Sequence, residues 1–181
     1  MASPSGYFKL LTTLLFASLL LSFLSSSPSP ANASTPLVES VCSQVPGNRY
    51  CKPFLDSDPR TQSATNLLDL AKIVLDLTIA LAEDCLAFVD LLIKNLPYKQ
   101  TLDICGASYK VAVASLKTAR GEVEQDAAKA NTDIQNADFE ISNCGLEMSI
   151  NGSSFRDLSL IKRTRNASLF CNIGVAITSK L

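Results

Sequence analysis

Residues 102–144 read LDICGASYKVAVASLKTARGEVEQDAAKANTDIQNADFEISNC, and two matching stripes run through them. Leu102, Cys105, Tyr109, Ala112, Leu116 and Ala119 are spaced by 3, 4, 3, 4 and 3 residues; Ala127, Ala130, Ile134, Ala137, Ile141 and Cys144 repeat those spacings. A heptad-like period keeps one side of a helix turned toward a neighbour, so the two segments are predicted to be adjacent helices of a left-handed bundle. Each stripe holds one cysteine. If the helices are antiparallel and bridged, Cys105 and Cys144 lie at one height and the turn falls midway between them, near Glu124-Gln125. Asp126 is then placed to cap the second helix. A chain loop closed over that length contributes roughly 4 kcal/mol in the chain-entropy picture. Gly121 is the only other turn former nearby.

Upstream, no Gly or Pro occurs from Arg60 to Leu96. The stretch is apolar enough to resemble a membrane span, and its charges decide the matter. Asp69, Lys72, Asp76, Glu83, Asp90 and Lys94 fall within one narrow arc at helical periodicity. Leu68, Leu70, Ile73, Leu75, Leu77, Leu81, Phe88 and Leu92 occupy much of the remainder, so a long helix, or two nearly collinear ones, is expected with one wet stripe and broad burial. Before it, Val38, Val41 and Val45 recur at helical spacing and Pro46-Gly47-Asn48 breaks the run. Cys42 and Cys51 flank that break, which reads as a small helical hairpin closed by their bridge, a ring that contributes roughly 2–3 kcal/mol. After the polar break Asn151-Gly152-Ser153-Ser154, the residues Leu158, Leu169, Phe170, Ile173 and Ile177 suggest a final helix weakened by Gly174.

The chain starts with Lys9 as its one early charge, an apolar run from Leu10 to Leu24 and a small-x-small exit at Ala31-Asn32-Ala33. This is the order of a secretory signal peptide over residues 1–33, and the run is short of the ~20 residues a membrane span needs. Residues 34–181 then form the mature domain, with the hairpin over 34–58 and the bundle over 60–181. Loss of Lys9 leaves 15 basic against 17 acidic side chains, without a basic patch for nucleic acid or a polybasic segment for an anionic membrane. The chain has no histidine. Ser-His-Asp and Cys-His catalysis are thereby excluded, as is any zinc site that needs imidazole. The six cysteines are parted by 8, 33, 19, 38 and 26 intervening residues, unlike the close pairs of a thiolate zinc site. No metal, cofactor or catalytic residue is expected; pairs such as Glu83-Asp84 read as solvated helix surface.

Two sequons survive cleavage, at Asn151 and Asn166, and both are candidate glycosylation sites. The chain ends Ser179-Lys180-Leu181, which matches a peroxisomal address, but an exported chain never meets that cytosolic receptor. The match is read as coincidental.

The early cysteine pair, the SDPR that follows it and LDICGASYKVAV together resemble the plant invertase and pectin methylesterase inhibitor family. The resemblance spans nearly the whole mature chain: an early pair at Cys42 and Cys51, a helical cysteine with a tyrosine four residues on at Cys105 and Tyr109, and a fourth cysteine at Cys144. It implies an all-α fold, a four-helix up-and-down bundle preceded by a helical hairpin. It also implies a secreted, non-enzymatic protein of the cell wall that docks over the active-site cleft of its target. Some members block acid invertase and others pectin methylesterase. The Pro-Lys-Phe motif that invertase inhibitors often carry near the turn is absent from Gly121–Asp126, and LFCNIGVAI around Cys171 looks more like the pectin methylesterase inhibitors. Cys85 departs from the four-cysteine pattern; with Cys171 it forms either a third bridge or a pair of buried thiols.

The leading expectation is a stoichiometric inhibitor of pectin methylesterase, monomeric when free, with Lys110, Lys117, Arg120, Glu122, Lys129 and Asp133 on the wet sides of the bridged helices as candidate contacts. Invertase inhibition is the first alternative. A helical carrier of lipids or other small molecules is a second, although the eight cysteines and adjacent Cys-Cys usual in plant lipid carriers are missing. A pro-region severed from a larger pectin methylesterase is a third.

Overall fold

The computed structural model describes residues 34–46, 48–97, 99–150 and 157–181. Ser34–Leu181 is one compact unit, and among its described residues every regular element is helical. Residues 1–33, where a signal peptide is expected, and the sequon at Asn151 lie outside the described residues.

The N-terminal hairpin is built as its sequence suggests. Helix α1, Pro36–Cys42, starts with Pro36 in its first turn and Thr35 as cap, whose hydroxyl accepts from the Val38 amide at 3.2 Å. A single 3-10 turn, Asn48–Tyr50, leads into α2, Cys51–Asp56. Cys42 and Cys51 are bridged across the bend, with Cα atoms 5.5 Å apart. Val38, Val41, Cys51 and Leu55 are fully buried. Phe54 meets Phe170 of the last helix with ring centroids 5.4 Å apart, which seats the hairpin on the bundle.

The stretch expected to be helical from Arg60 instead holds a corner. Asp58 caps the short helix α3, Pro59–Ser63, accepting from the Arg60 amide at 2.9 Å. The Arg60 guanidinium, hydrogen-bonded to the same carboxylate, holds the Asp58 pKa below its ordinary value. Buried Thr61 donates to the Leu55 carbonyl at 2.6 Å, tying the corner to α2. Ala64 is extended, and Asn66 then caps α4, Leu67–Asn95, by accepting from the Asp69 amide at 2.9 Å. Two caps eight residues apart thus separate a one-turn helix from a long one, with no Gly or Pro needed between them.

The bundle consists of α4, α5 (Lys99–Glu122), α6 (Ala127–Ile150) and α7 (Leu158–Thr178). Each packs on two others, so that α4, α5, α6 and α7 close a ring. Side-chain pairs fix the directions. Lys117 meets Glu83 and Arg120 meets Asp76, so α5 runs against α4. Asn131 bonds Thr178 at one end of the α6–α7 seam and Gly145 faces Thr164 near the other, so α7 runs against α6. This is the expected up-and-down bundle. The turn covers Val123–Asp126, and Asp126 caps α6 by accepting from the Lys129 amide at 2.9 Å.

The stripes are buried except at the start of the second, where Ala127 is half-buried: Leu102, Cys105, Tyr109, Ala112, Leu116 and Ala119 face Ala130, Ile134, Ala137, Ile141 and Cys144, all without solvent exposure. The wet stripe of α4 also holds, since none of Asp69, Lys72, Asp76, Glu83, Asp90 and Lys94 is buried. Its buried side is narrower than expected: Leu70, Ala71, Val74, Leu75, Thr78, Ala82, Cys85 and Val89 make the seam, and Leu68, Leu77, Leu81, Phe88 and Leu92 only pack along its edges. Gly174 is a contact rather than a weakness. A Cβ there would stand 3.4 Å from the Ile134 side chain, so the glycine lets α7 approach α6 closely.

Candidate partner-binding face

The α5–α6 pair is braced at three heights. In its lower half Cys105 and Cys144 are bridged, with sulfurs 2.03 Å and Cα atoms 4.5 Å apart. One turn on, Asn143 donates to the Ser108 hydroxyl at 3.4 Å. At the tip Lys129 pairs with Glu122 across the turn.

The six polar candidates divide along these seams. Lys117 reaches Glu83 at 2.7 Å and Arg120 reaches Asp76 at 2.7 Å, so both lie on the α4 side of α5. Glu122, Lys129 and Asp133 are brought together at the tip. Glu122 Oε2 and Asp133 Oδ2 are both buried there without a donor, and partial burial followed by the facing Glu122 pushes the Asp133 pKa up. Lys110 is exposed near the middle of α5, apart from both groups.

What sequence reasoning missed is apolar. Phe139 is 70 % exposed, Leu146 57 % and Ile150 67 %. At ~100° per residue these three lie within about 40° of one another and opposite the buried stripe of α6. Val111, 50 % exposed, stands nearly level with Phe139 in the register set by the disulfide. The exposed Ala107 and Ala114 lie a turn to either side of it on α5. The available signal was the 7-then-4 spacing of Phe139, Leu146 and Ile150, out of phase with the stripe that buries α6. Large apolar side chains clustered on one exposed face are the usual mark of a protein contact surface.

The third bridge is not formed: Cys85 and Cys171 are free thiols, both buried. The helix register explains this. Arg163 of α7 pairs with Asp84 of α4 and lies over the Phe88 ring at 4.6 Å, so Cys85 is level with the residues near Arg163. Cys171 is eight residues farther along α7, which at 1.5 Å per residue separates the two thiols by on the order of 10 Å along the axis. A disulfide needs Cα atoms within about 7 Å. Beside Cys85, the Tyr109 phenol donates to Thr164 Oγ1 at 2.9 Å. Burial pushes the Cys85 thiol up to about 11, the neighbouring Tyr109 phenol opposing it. Burial and then the nearby Asp138 carboxylate push Cys171 up as well. Both sulfurs are therefore protonated and unreactive in the folded protein.

Asn166 lies in α7, half-buried, beside Tyr50 and Phe54 of the hairpin. Among the described residues, no three or more carboxylates and cysteines gather as a metal site would require. None of their helices is long and apolar enough to cross a membrane.

The outward apolar residues of α5 and α6 offer a surface to another protein. The profile of the plant invertase/pectin methylesterase inhibitor family matches residues 36–172. A mutant form of a pectin methylesterase inhibitor from Arabidopsis shares the fold, with a TM-score of 0.73 and 21% identity over 81% of this chain and 98% of that one. A second structure, of a pectin methylesterase inhibitor from Arabidopsis thaliana, aligns with a TM-score of 0.61 and 21% identity over 82% and 98%. No curated protein matches the chain. A match over three quarters of the sequence, on a bundle with both expected bridges, places the chain in the plant invertase/pectin methylesterase inhibitor family, whose members inhibit enzymes and are not enzymes themselves.

Proposed function

We propose that this protein inhibits pectin methylesterase by laying the outward face of α5 and α6 over the enzyme's active-site cleft. The observation that carries the reading is the unpartnered apolar set Val111, Phe139, Leu146 and Ile150 on the stapled helix pair. Well-packed apolar anchors at the centre of an interface supply most of its binding energy, and a rim of charges such as Lys110 steers the approach. Rigid helices lower the ordering cost of association. The choice of target rests on two features: the turn Val123–Asp126 lacks Pro-Lys-Phe, and the C-terminal LFCNIGVAI is similar to the pectin methylesterase inhibitors. The related inhibitors from Arabidopsis support the same choice. Family membership and the signal-like residues 1–33 support action outside the cell, in the cell wall.

The test is to assay the purified, oxidised protein against pectin methylesterase and acid invertase side by side. Inhibition of the esterase alone is expected. Phe139→Asp, at an exposed position that leaves the fold intact, should weaken it at least tenfold. Inhibition of invertase alone would overturn the assignment, and an unchanged potency in Phe139→Asp would overturn the face.

A further inference from the structure

The hairpin and α7 enclose an open groove of about 510 Å³ lined by Tyr50, Phe54, Lys162, Arg165, Asn166 and Leu169. Its floor is apolar: Phe54 and Leu169 are half-buried, and the Tyr50 ring, 48 % exposed, is covered by the Arg49 guanidinium at 4.6 Å. The charged lining residues, Lys162 and Arg165, are both donors, and both are exposed. A groove with aromatic and aliphatic walls and N–H donors at the edge suits a pyranose. The C–H face of a sugar ring packs on aromatic carbon, and its acetamido and hydroxyl oxygens accept from cations. Asn166 lines this same groove and begins the sequon Asn166-Ala167-Ser168.

We propose that Asn166 is N-glycosylated and that the first N-acetylglucosamine residues of the glycan lie in this groove, joining the hairpin to α7. The inference rests on export through the secretory route and is independent of which enzyme the protein inhibits. The donor is a lipid-linked oligosaccharyl diphosphate. Asn166 Nδ2 attacks the anomeric carbon, and the C–N bond forms as the C–O bond to the lipid diphosphate breaks. The amide proton passes to a base of the transferase and the diphosphate departs with the bonding pair. Transfer takes place on the nascent chain, before α7 forms, so the later half-burial of Asn166 is no obstacle. On folding, the sugar closes over Tyr50, Phe54 and Leu169 and shields apolar surface that is otherwise wet.

The full chain with its leader is secreted from a yeast host and mapped by mass spectrometry, with enzymatic release of N-glycans in heavy-oxygen water to mark each occupied asparagine. Asn166 should be labelled after denaturing release. Release from the native protein should be at least tenfold slower than from the denatured protein, and Tyr50→Ala should remove most of that difference. An unmodified Asn166 in correctly folded, secreted protein would overturn the proposal. Native release as fast as denatured release would show a pendant glycan outside the groove and would overturn the seating.

Discussion

The bridge between Cys105 and Cys144 is the perturbation with the largest consequence that can be worked from the structure. It closes a loop with a sequence separation of 39. In the chain-entropy picture, constraining the unfolded chain to that extent stabilises the fold by about 4 kcal/mol, against about 2.5 kcal/mol for the shorter ring at Cys42–Cys51. Both sulfurs are buried, so truncation adds a small cavity term in the same direction. Against the usual 5–15 kcal/mol of a whole domain, the double variant Cys105→Ala/Cys144→Ala should remain folded but marginal. With a urea m-value near 2 kcal/mol/M the midpoint should fall by about 2 M, the slope rising somewhat as the unfolded chain is released from its cross-link. The thermal midpoint should drop by about 8–16 °C. A reductant gives the control: it should lower the wild-type midpoint by both ring contributions while shifting the double variant only through Cys42–Cys51. A loss below about 1 kcal/mol, or a variant as sensitive to reductant as the wild type, would refute the claim that this cross-link dominates stability.

Other outcomes follow from single positions. Cys85 and Cys171, buried and with raised thiol pKa values, should resist alkylation in the native protein and both react once it is unfolded; rapid native labelling of either would contradict their burial. Gly121 has open space around its Cβ position in the last turn of α5, so Gly121→Ala should stabilise by about 0.5–1 kcal/mol, read as a higher urea midpoint. Gly174→Val, which must push into Ile134, should instead destabilise by about 1–3 kcal/mol. Asp138 has a pKa raised by burial, opposed by a hydrogen bond from Ser168. Because the folded value lies above the unfolded one, ionised Asp138 opposes folding at neutral pH and stability rises as pH falls through the folded pKa toward the unfolded value. Asp138→Asn should therefore stabilise at pH 7 and flatten that part of the pH–stability profile.

Where burial has a period, the sequence showed it. The two 3-4 stripes of α5 and α6 became the buried seams, and the midpoint rule placed the turn and the Asp126 cap because two bridged antiparallel helices have one register. The hairpin was legible because Pro46-Gly47-Asn48 leaves the chain little alternative and the flanking cysteines fall within reach. Helix α4 was legible in its wet stripe only. With leucines all round, hydrophobicity stops reporting which side is inside, and the seam through Val74, Ala82, Cys85 and Val89 is chosen by the neighbouring helices. The break at Ala64 was hidden because it is made by capping at Asp58 and Asn66, polar residues that a count of Gly and Pro does not register. The unformed Cys85–Cys171 bridge shows the same limit, since the height of α7 against α4 is carried by long-range pairs such as Arg163–Asp84.

The charges of the bundle also bear on how the protein recognises a partner. Lys72, Lys117, Arg120, Lys129 and Arg163 each reach a carboxylate of the same chain: Glu124, Glu83, Asp76, Glu122 and Asp84. Exposed pairs of this kind add little to stability, typically 0–1 kcal/mol each, but they hold long side chains in place and lower the free charge of the seams. A partner that met those seams would have to displace existing pairs for each new one it made. The exposed apolar side chains of α5 and α6 set no such competition themselves, because Phe139, Leu146, Ile150 and Val111 lose only water when covered. On this argument specificity arises at the edges, where Lys110 and the tip carboxylates stand, and affinity at the apolar centre. Neutralising Lys110 should therefore slow association and weaken its salt dependence, while polar substitution at Phe139 should speed dissociation; binding kinetics measured at two ionic strengths would separate the two, and a Lys110 variant changed only in dissociation rate would reverse the assignment.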